Sequence, residues 1–368
     1  MIEAYRNTHG GSSPSPALVR QILLSTAQDL RYPSAEQGAG LVDARAAVHE
    51  AEIVDGGAGS PRAPGWAAQS EPAFLAAPGQ LDLVSPSGKD SQGVVTVSNP
   101  TGAAERIGAS VRSLAMPFAD QAGQVTLDPD SDPTFVDDFG DPQSYGKVSF
   151  TVPPGVDVLG ASQAHGGDGV PVGMTLFDPA GRLANYTQDA GPADYSHAEV
   201  SNPAPGKWTA LFYTPQSYGL SGQVIYDFTF SRFASVASVS PQSLLLAPHG
   251  RGAFFVRLPG SSTPGDVDSD LVLDNGAGQK SVVPLVVRTL VPLSDGRGTF
   301  AGSVPGGDGF SGLASRDTFQ FDVPFHTPAV GVDLNLANAP GTGLFGVLVA
   351  PDGETEAEGV SADDGSGN

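Results

Sequence analysis

The chain has 368 residues, 39% of them apolar, and a formal net charge of −22. That length suffices for two to four domains with packed cores. With only four lysines (Lys89, Lys147, Lys207 and Lys280), it argues against nucleic acid and anionic membranes as partners, since neither supplies counter-charge. The absence of cysteine excludes disulfides, zinc–thiolate sites and thiol catalysis.

Glycine (48) and proline (32) make up about a fifth of the chain, which suits many tight turns between short strands. No apolar run reaches the roughly 18 residues of a membrane-spanning helix, so none is expected. Met1 is not followed by a basic segment with an apolar core, so no signal peptide is visible.

The first elements are helical. Ser15 is a good N-cap, and Pro16 suits the first helical position, where no N–H is needed. Leu18, Ile22 and Thr26, with Val19 and Leu23 beside them, form one apolar face of about three turns. After Gly38 and Gly40, Asp43 can cap a second helix whose small face is Ala44, Ala47, Val48 and Ala51. Two short helices cannot bury both faces on each other alone. They need a larger body, and the rest of the sequence offers none that they obviously fit.

The run Pro16-Ala17-Leu18-Val19-Arg20-Gln21-Ile22-Leu23-Leu24-Ser25-Thr26-Ala27, then Gln37-Gly38-Ala39-Gly40-Leu41-Val42-Asp43-Ala44, resembles the last two helices of a subtilisin-like serine protease domain (peptidase S8, subtilase family). Ile2-Glu3-Ala4-Tyr5 resembles the tail of the preceding helix. The match covers about residues 1–52. In that family the preceding helix begins at the nucleophile motif Gly-Thr-Ser-x-Ala-x-Pro, which this sequence lacks, as it lacks the family's His-Gly-Thr segment. The resemblance implies a secreted, extracellular parent with a Ser–His–Asp triad acting on protein or peptide substrates through a catalytic domain not in this chain. No catalytic residue is expected here, and neither His9 nor Ser12 has a visible partner set.

Residues 53–72 are rich in Gly, Ala and Pro and read as a linker, with Trp66 in the linker or docked on it. Strand patterns follow at Gln80–Val84, Gly93–Asn99 and Ile107–Leu114. They suggest a small fibronectin-III-like sandwich over 73–115. Residues 116–145 read as an acidic loop or linker. Asp128, Asp130, Asp132, Asp137 and Asp138 there, with Asp141, invite a calcium ion. Pro133 and Phe139 at the sixth and twelfth positions break the helix–loop–helix calcium pattern. A solvated acidic loop and a looser calcium site both stay open.

A second β unit is expected over 146–234, from Val148–Gly155, Gly173–Gly181 with its Asp-Pro-x-Gly turn, Lys207–Tyr213 and Val224–Phe230. It resembles the jelly-roll (pre-peptidase C-terminal-like) domains that follow secreted bacterial peptidases, some of which bind calcium or polymers. Trp208 reads as core; Tyr186, Tyr195, Tyr213 and Tyr218 read as packing or as an aromatic binding face. The other histidines do not sit at metal-ligand spacing.

Three echoes suggest a repeat, one of them the Asp178-Pro179-Ala180-Gly181 turn with its counterpart at Pro351-Asp352-Gly353. Val111-Arg112-Ser113-Leu114 returns as Val287-Arg288-Thr289-Leu290, and Phe150-Thr151-Val152-Pro153 as Phe321-Asp322-Val323-Pro324. A second sandwich is therefore expected over 236–292 and a truncated second jelly roll over 293–368, in a chain cut at both ends. The fold class is mainly β: tandem sandwich and jelly-roll domains after a short helical remnant of a subtilase α/β domain. The expected function is that of the C-terminal fragment of a secreted subtilisin-like endopeptidase. The alternative is a non-catalytic binding or spacer module for extracellular polymer or protein.

Overall fold

The computed structural model describes residues 1–54, 74–166, 170–187, 195–235, 237–303, 317–335 and 344–360. Four helices come first: α1 (Ile2–Thr8), α2 (Pro16–Ser25), α3 (Ser34–Gln37) and α4 (Ala44–Ile53). Then come β1 (Leu75–Ala77), β2 (Leu81–Ser85), β3 (Ser91–Ser98), β4 (Glu105–Leu114), β5 (Ala119–Leu127), β6 (Thr134–Val136) and β7 (Pro142–Val152). Next are β8 (Val158–His165), β9 (Gly173–Phe177), β10 (Leu183–Thr187), β11 (Tyr195–Ser201), β12 (Gly206–Pro215), β13 (Gly222–Ser231) and β14 (Phe233–Ala234). Last are β15 (Ser238–Ser240), β16 (Ser243–Leu246), β17 (Arg251–Leu258), β18 (Gly265–Asp274), β19 (Lys280–Thr289), β20 (Phe345–Val349) and β21 (Thr355–Val360). The fold is mainly β, built of sandwiches with a few short helices, and among the described residues no helix is long and apolar enough to cross a membrane.

The chain divides into two compact units. The first holds residues 1–116, 231–303 and 317–322; the second holds 117–230, 304–316 and 323–368. The sandwich of the first unit pairs a sheet of order β1-β3-β17-β15 with one of order β14-β4-β18-β19-β2, and β16 joins at β4. Phe74, Val95, Ile107, Phe254, Leu271 and Leu285 fill the core between them. Segments 73–115 and 236–292 are thus one sandwich, which corrects the expectation of two. Val95 of β3 pairs with Phe254 of β17, and Val111 of β4 with Leu271 of β18. Residues 73–115 supply only β1 to β4, too few strands for two closed sheets, so the core waits for β15 to β19. The echo of Val111–Leu114 in Val287–Leu290 falls on β4 and β19, which flank β18 in a single sheet.

The helices begin where the sequence places them. Ser15 Oγ accepts from the Leu18 N–H at 3.2 Å, and the Asp43 carboxylate accepts from the N–H groups of Arg45 (3.0 Å) and Ala46 (2.9 Å). They do find a body in this chain, contrary to expectation. Tyr5, Ile22, Ala47, Ala51 and Val54 close a small apolar cluster around Leu75 of β1. Ser25 Oγ accepts from the Ala76 N–H at 2.9 Å, and Gln279 Nε2 donates to the carbonyls of Ser25 and Phe74, each at 3.2 Å.

The second unit has its own sandwich, with sheets of order β10-β9-β12-β7-β6 and β11-β8-β13-β5. Strand alternation turns Trp208, Ala210 and Phe212 of β12 inward, where Phe150 stacks on Phe228 with centroids 3.9 Å apart. Trp208 is buried, and its Nε1–H donates to the Ala204 carbonyl at 2.8 Å. Residues 116–145 are not a linker: β5, β6 and the start of β7 lie there, each paired in this sandwich. Its apolar alternation is diluted by Gly, Gln and Asp, which hid the strands.

The expected second jelly roll also differs. Phe321–Pro324 is not a strand, so it has no counterpart role to Phe150–Pro153. Among the described residues, β20 and β21 pair only with each other. The Asp178–Gly181 and Pro351–Gly353 turns are both hairpin turns, joining β9 to β10 and β20 to β21. Ile53 and Val54, the first residues of the expected linker, instead end α4 and its apolar cluster; the rest of the linker, with Trp66, lies outside the described residues.

Candidate functional site

The acidic loop was the sequence's candidate metal site. In the structure its carboxylates serve two separate turns. Asp128 accepts from the Ser131 hydroxyl at 2.6 Å and from the Asp130 N–H, while Asp132 accepts from the Asp128 N–H at 2.8 Å. Asp137 accepts from the N–H groups of Phe139 (3.0 Å) and Asp141 (2.9 Å) and from Gln143 Nε2 (2.9 Å). The Asp141 N–H leads the hydrogen bonds that hold the Asp137 carboxyl below its ordinary pKa. Among the described residues no three His, Asp or Glu side chains are placed to share a cation. Asp128, Asp130, Asp132, Asp137 and Asp138 thus stand in turns and at the surface, and the structure does not bring three of them together.

The Asp137 turn does build something else. It is the tip of a hairpin lip formed by β6, the edge strand of the five-stranded sheet, and the turn that leads to β7. Alternation places Tyr145 of β7 and Tyr213 of β12 on the outer face of that sheet, directly opposite each other. Phe135 of β6 packs against both, with ring centroids 5.9 Å from Tyr145 and 5.5 Å from Tyr213. Lys147 Nζ lies 5.0 Å from the Tyr145 centroid. These side chains, with Thr175, Thr209 and Leu211, line an open groove of about 930 Å³. At the lip, Phe139 is 88% and Val136 67% exposed.

One close approach shapes the floor. Gly173 of β9 pairs with Tyr213, and the Tyr213 ring lies where any Cβ on residue 173 would sit. A glycine beneath an aromatic neighbour lets the ring lie flat over the strand. Burial pushes the Tyr213 phenol above its ordinary pKa, partly offset by a hydrogen bond with Thr175.

Of the four tyrosines singled out in the sequence, Tyr213 lines the groove. Tyr186 pairs with Thr175 in register and so shares its face of the sheet. Tyr195 belongs to the other sheet, and Tyr218 is an exposed loop residue. Sequence reading missed Phe135, Phe139 and Tyr145. The signal was two phenylalanines inside an acidic stretch, where a purely solvated loop would carry none.

Another array has the residue order of a hydrolytic relay but not its setting. The Tyr195 hydroxyl donates to Ser162 Oγ at 3.1 Å, Ser162 Oγ lies 2.8 Å from His197 Nδ1, and His197 Nε2 lies 3.3 Å from Glu199. Ser162 sits mid-strand in β8, between β11 and β13, where the ladders engage the backbone N–H groups. Acyl transfer needs such donors converging on the developing oxyanion. The array is a cross-strand polar contact. His9 is likewise structural: its ring stacks on Tyr5 at 3.8 Å, and its Nε2 lies 2.6 Å from the Val54 carbonyl.

No family model matches this sequence, and no curated protein matches it. Among solved structures the chain is similar to the ASH/PapD-like domain of human CEP192, at 9% identity over 63% of this chain and 94% of that one, with a TM-score of 0.24. It is similar to a family 123 glycoside hydrolase from Clostridium perfringens, at 7% identity over 57% of this chain and 23% of that one, TM-score 0.21. A third is the secreted serine protease VesC from Vibrio cholerae, at 11% identity over 42% of this chain and 49% of that one, TM-score 0.17. The matched regions thus span under a quarter of the hydrolase and about half of the protease, and no activity is carried over from likenesses this remote.

Proposed function

We propose that this chain is the non-catalytic C-terminal portion of a secreted subtilisin-like serine endopeptidase, acting on protein substrates through a catalytic domain outside it. The observation that supports the reading is the residue pattern from Ser15 to Ala51, whose two main helices start after Ser15 and Asp43. Two measurements test it. The purified chain is expected to hydrolyse no casein or peptide substrate, and activity abolished by a serine-directed inhibitor overturns this. Sequencing the locus upstream of the Met1 codon is expected to show Gly-Thr-Ser-x-Ala-x-Pro within about 30 codons; an unrelated upstream sequence refutes the peptidase assignment.

A second reading, compatible with the first, is that the chain is a binding module for an extracellular polymer. The groove beside Tyr145 and Tyr213 supports it, because aromatic rings on an open sheet face, with polar groups between them, suit an extended ligand. Co-sedimentation with insoluble polymers tests it. Retention by none of them overturns the binding reading and leaves the peptidase assignment standing.

A further inference from the structure

We infer that the groove on the second unit takes a neutral polysaccharide chain; this rests on the binding reading above and narrows it. The floor is made by β7, β9 and β12, and β12 is hydrogen-bonded on both sides. Its backbone groups are therefore engaged, and an extended peptide laid along the floor finds no ladder partner. What the floor offers instead is ring faces and side-chain hydroxyls: Phe135, Tyr145 and Tyr213 beside Thr175 and Thr209. A pyranose matches this, with C–H faces to stack on rings and hydroxyls that both donate and accept.

Charge selects among polysaccharides. The chain carries −22 overall, and the groove is lined by Asp137 and Asp138 as well as by Lys147, which lies over the Tyr145 ring. A uronic or sulfated polymer meets net repulsion, and a neutral one does not. Phe139, exposed at the tip of the lip, lines the groove and offers a further ring to a chain lying in it.

The test is co-sedimentation of the full chain with cellulose, chitin, insoluble starch, cross-linked polygalacturonate and gelatin beads. Wild type is compared with Phe139→Ser and Tyr145→Ala, and circular dichroism and melting temperature confirm the fold. Phe139→Ser removes an exposed side chain, so it leaves the fold intact even where Tyr145→Ala does not. Retention on a neutral polysaccharide, weakened at least tenfold by Phe139→Ser, is expected. Retention on gelatin or polygalacturonate alone, lost in the variant, overturns the polysaccharide inference and leaves the groove a binding site. Retention unchanged by Phe139→Ser, or absent on every polymer, overturns both.

Discussion

Arg112 grips Asp29 with both terminal nitrogens, Nη1 and Nη2 each 2.8 Å from a carboxylate oxygen, and gives its Nε to Asp270 at 2.7 Å. This fork joins the loop after α2 to two adjacent strands, β4 and β18. One guanidinium therefore serves two buried acids. Burial opposes ionisation of both; at Asp29 the Arg112, Arg31 and Gln37 hydrogen bonds outweigh it and lower the pKa, whereas at Asp270 burial wins and raises it. Asp29 is the acid held by the two-point contact, and we assign the pH dependence of the cluster to it.

Removing the cation strands both acids. Arg112→Ala is expected to destabilise the first unit by about 3–5 kcal/mol at pH 7. Asp29, with its lowered pKa, contributes stability above its unfolded pKa that fades as pH falls through the folded value. The wild-type advantage over Arg112→Ala should therefore shrink below pH 4. Urea unfolding at pH 7 and pH 3.5 measures both; equal deficits at the two pH values contradict the assignment.

Glu50 of α4 is wholly buried, and among the described residues neither of its carboxylate oxygens has a hydrogen-bond partner. Burial pushes its pKa from 4.5 up to about 8. The protonated side chain is the one the fold accepts, so stability is unaffected below pH 4.5 and declines as pH climbs from there to about 8. Glu50→Met should stabilise the protein, and the gain at pH 8 should exceed that at pH 4 by roughly 4 kcal/mol, from about 1.4 kcal/mol per pH unit. Melting temperatures across that range report it; a pH-independent difference would show that water or a cation reaches the carboxylate.

Gly173 and Tyr213 form a matched pair. Gly173→Ala places a methyl group where the ring lies, and overpacking of this kind costs about 1–3 kcal/mol. The Tyr213 ring must lift from the floor, so tyrosine fluorescence should change together with stability. A variant with unchanged fluorescence and melting temperature means that the ring has room to spare.

Asp137 organises the lip through three accepted hydrogen bonds. Asp137→Ala should speed hydrogen exchange at the Phe139 and Asp141 amides while leaving the sheet core protected. Millimolar calcium should leave both exchange and melting temperature unchanged, since a ligand bound only by the native state must stabilise it. A calcium-dependent rise in melting temperature would restore a cation to this loop.

Local chemistry was legible in the sequence, and pairing at a distance was not. Ser15 and Asp43 announce their helices because a cap is satisfied within three residues. Alternation in β3, β4, β9, β12 and β13 marks two faces for each strand. It does not say which strand lies alongside, so the sequence alone separates β3 and β17 into two domains although they form one ladder. Tyr145 and Tyr213 met the same obstacle, since facing outward becomes a groove only once β7 and β12 are neighbours. Arg112 and Asp29 look like ordinary surface charges until the loop folds onto β4. Glu50 has the sequence position of a solvated helix residue, and only the docking of α4 encloses it.

The ladder between β3 and β17 also sets an order of assembly on the ribosome. The two sheets of the second unit's sandwich use consecutive chain, from β5 to β13, and can close as soon as that stretch has emerged. The first sandwich begins to emerge earlier yet stays half-built, its apolar strands uncovered, until β19 has been synthesised. For this polypeptide β1 to β4 are thus the strands that wait longest for their partners.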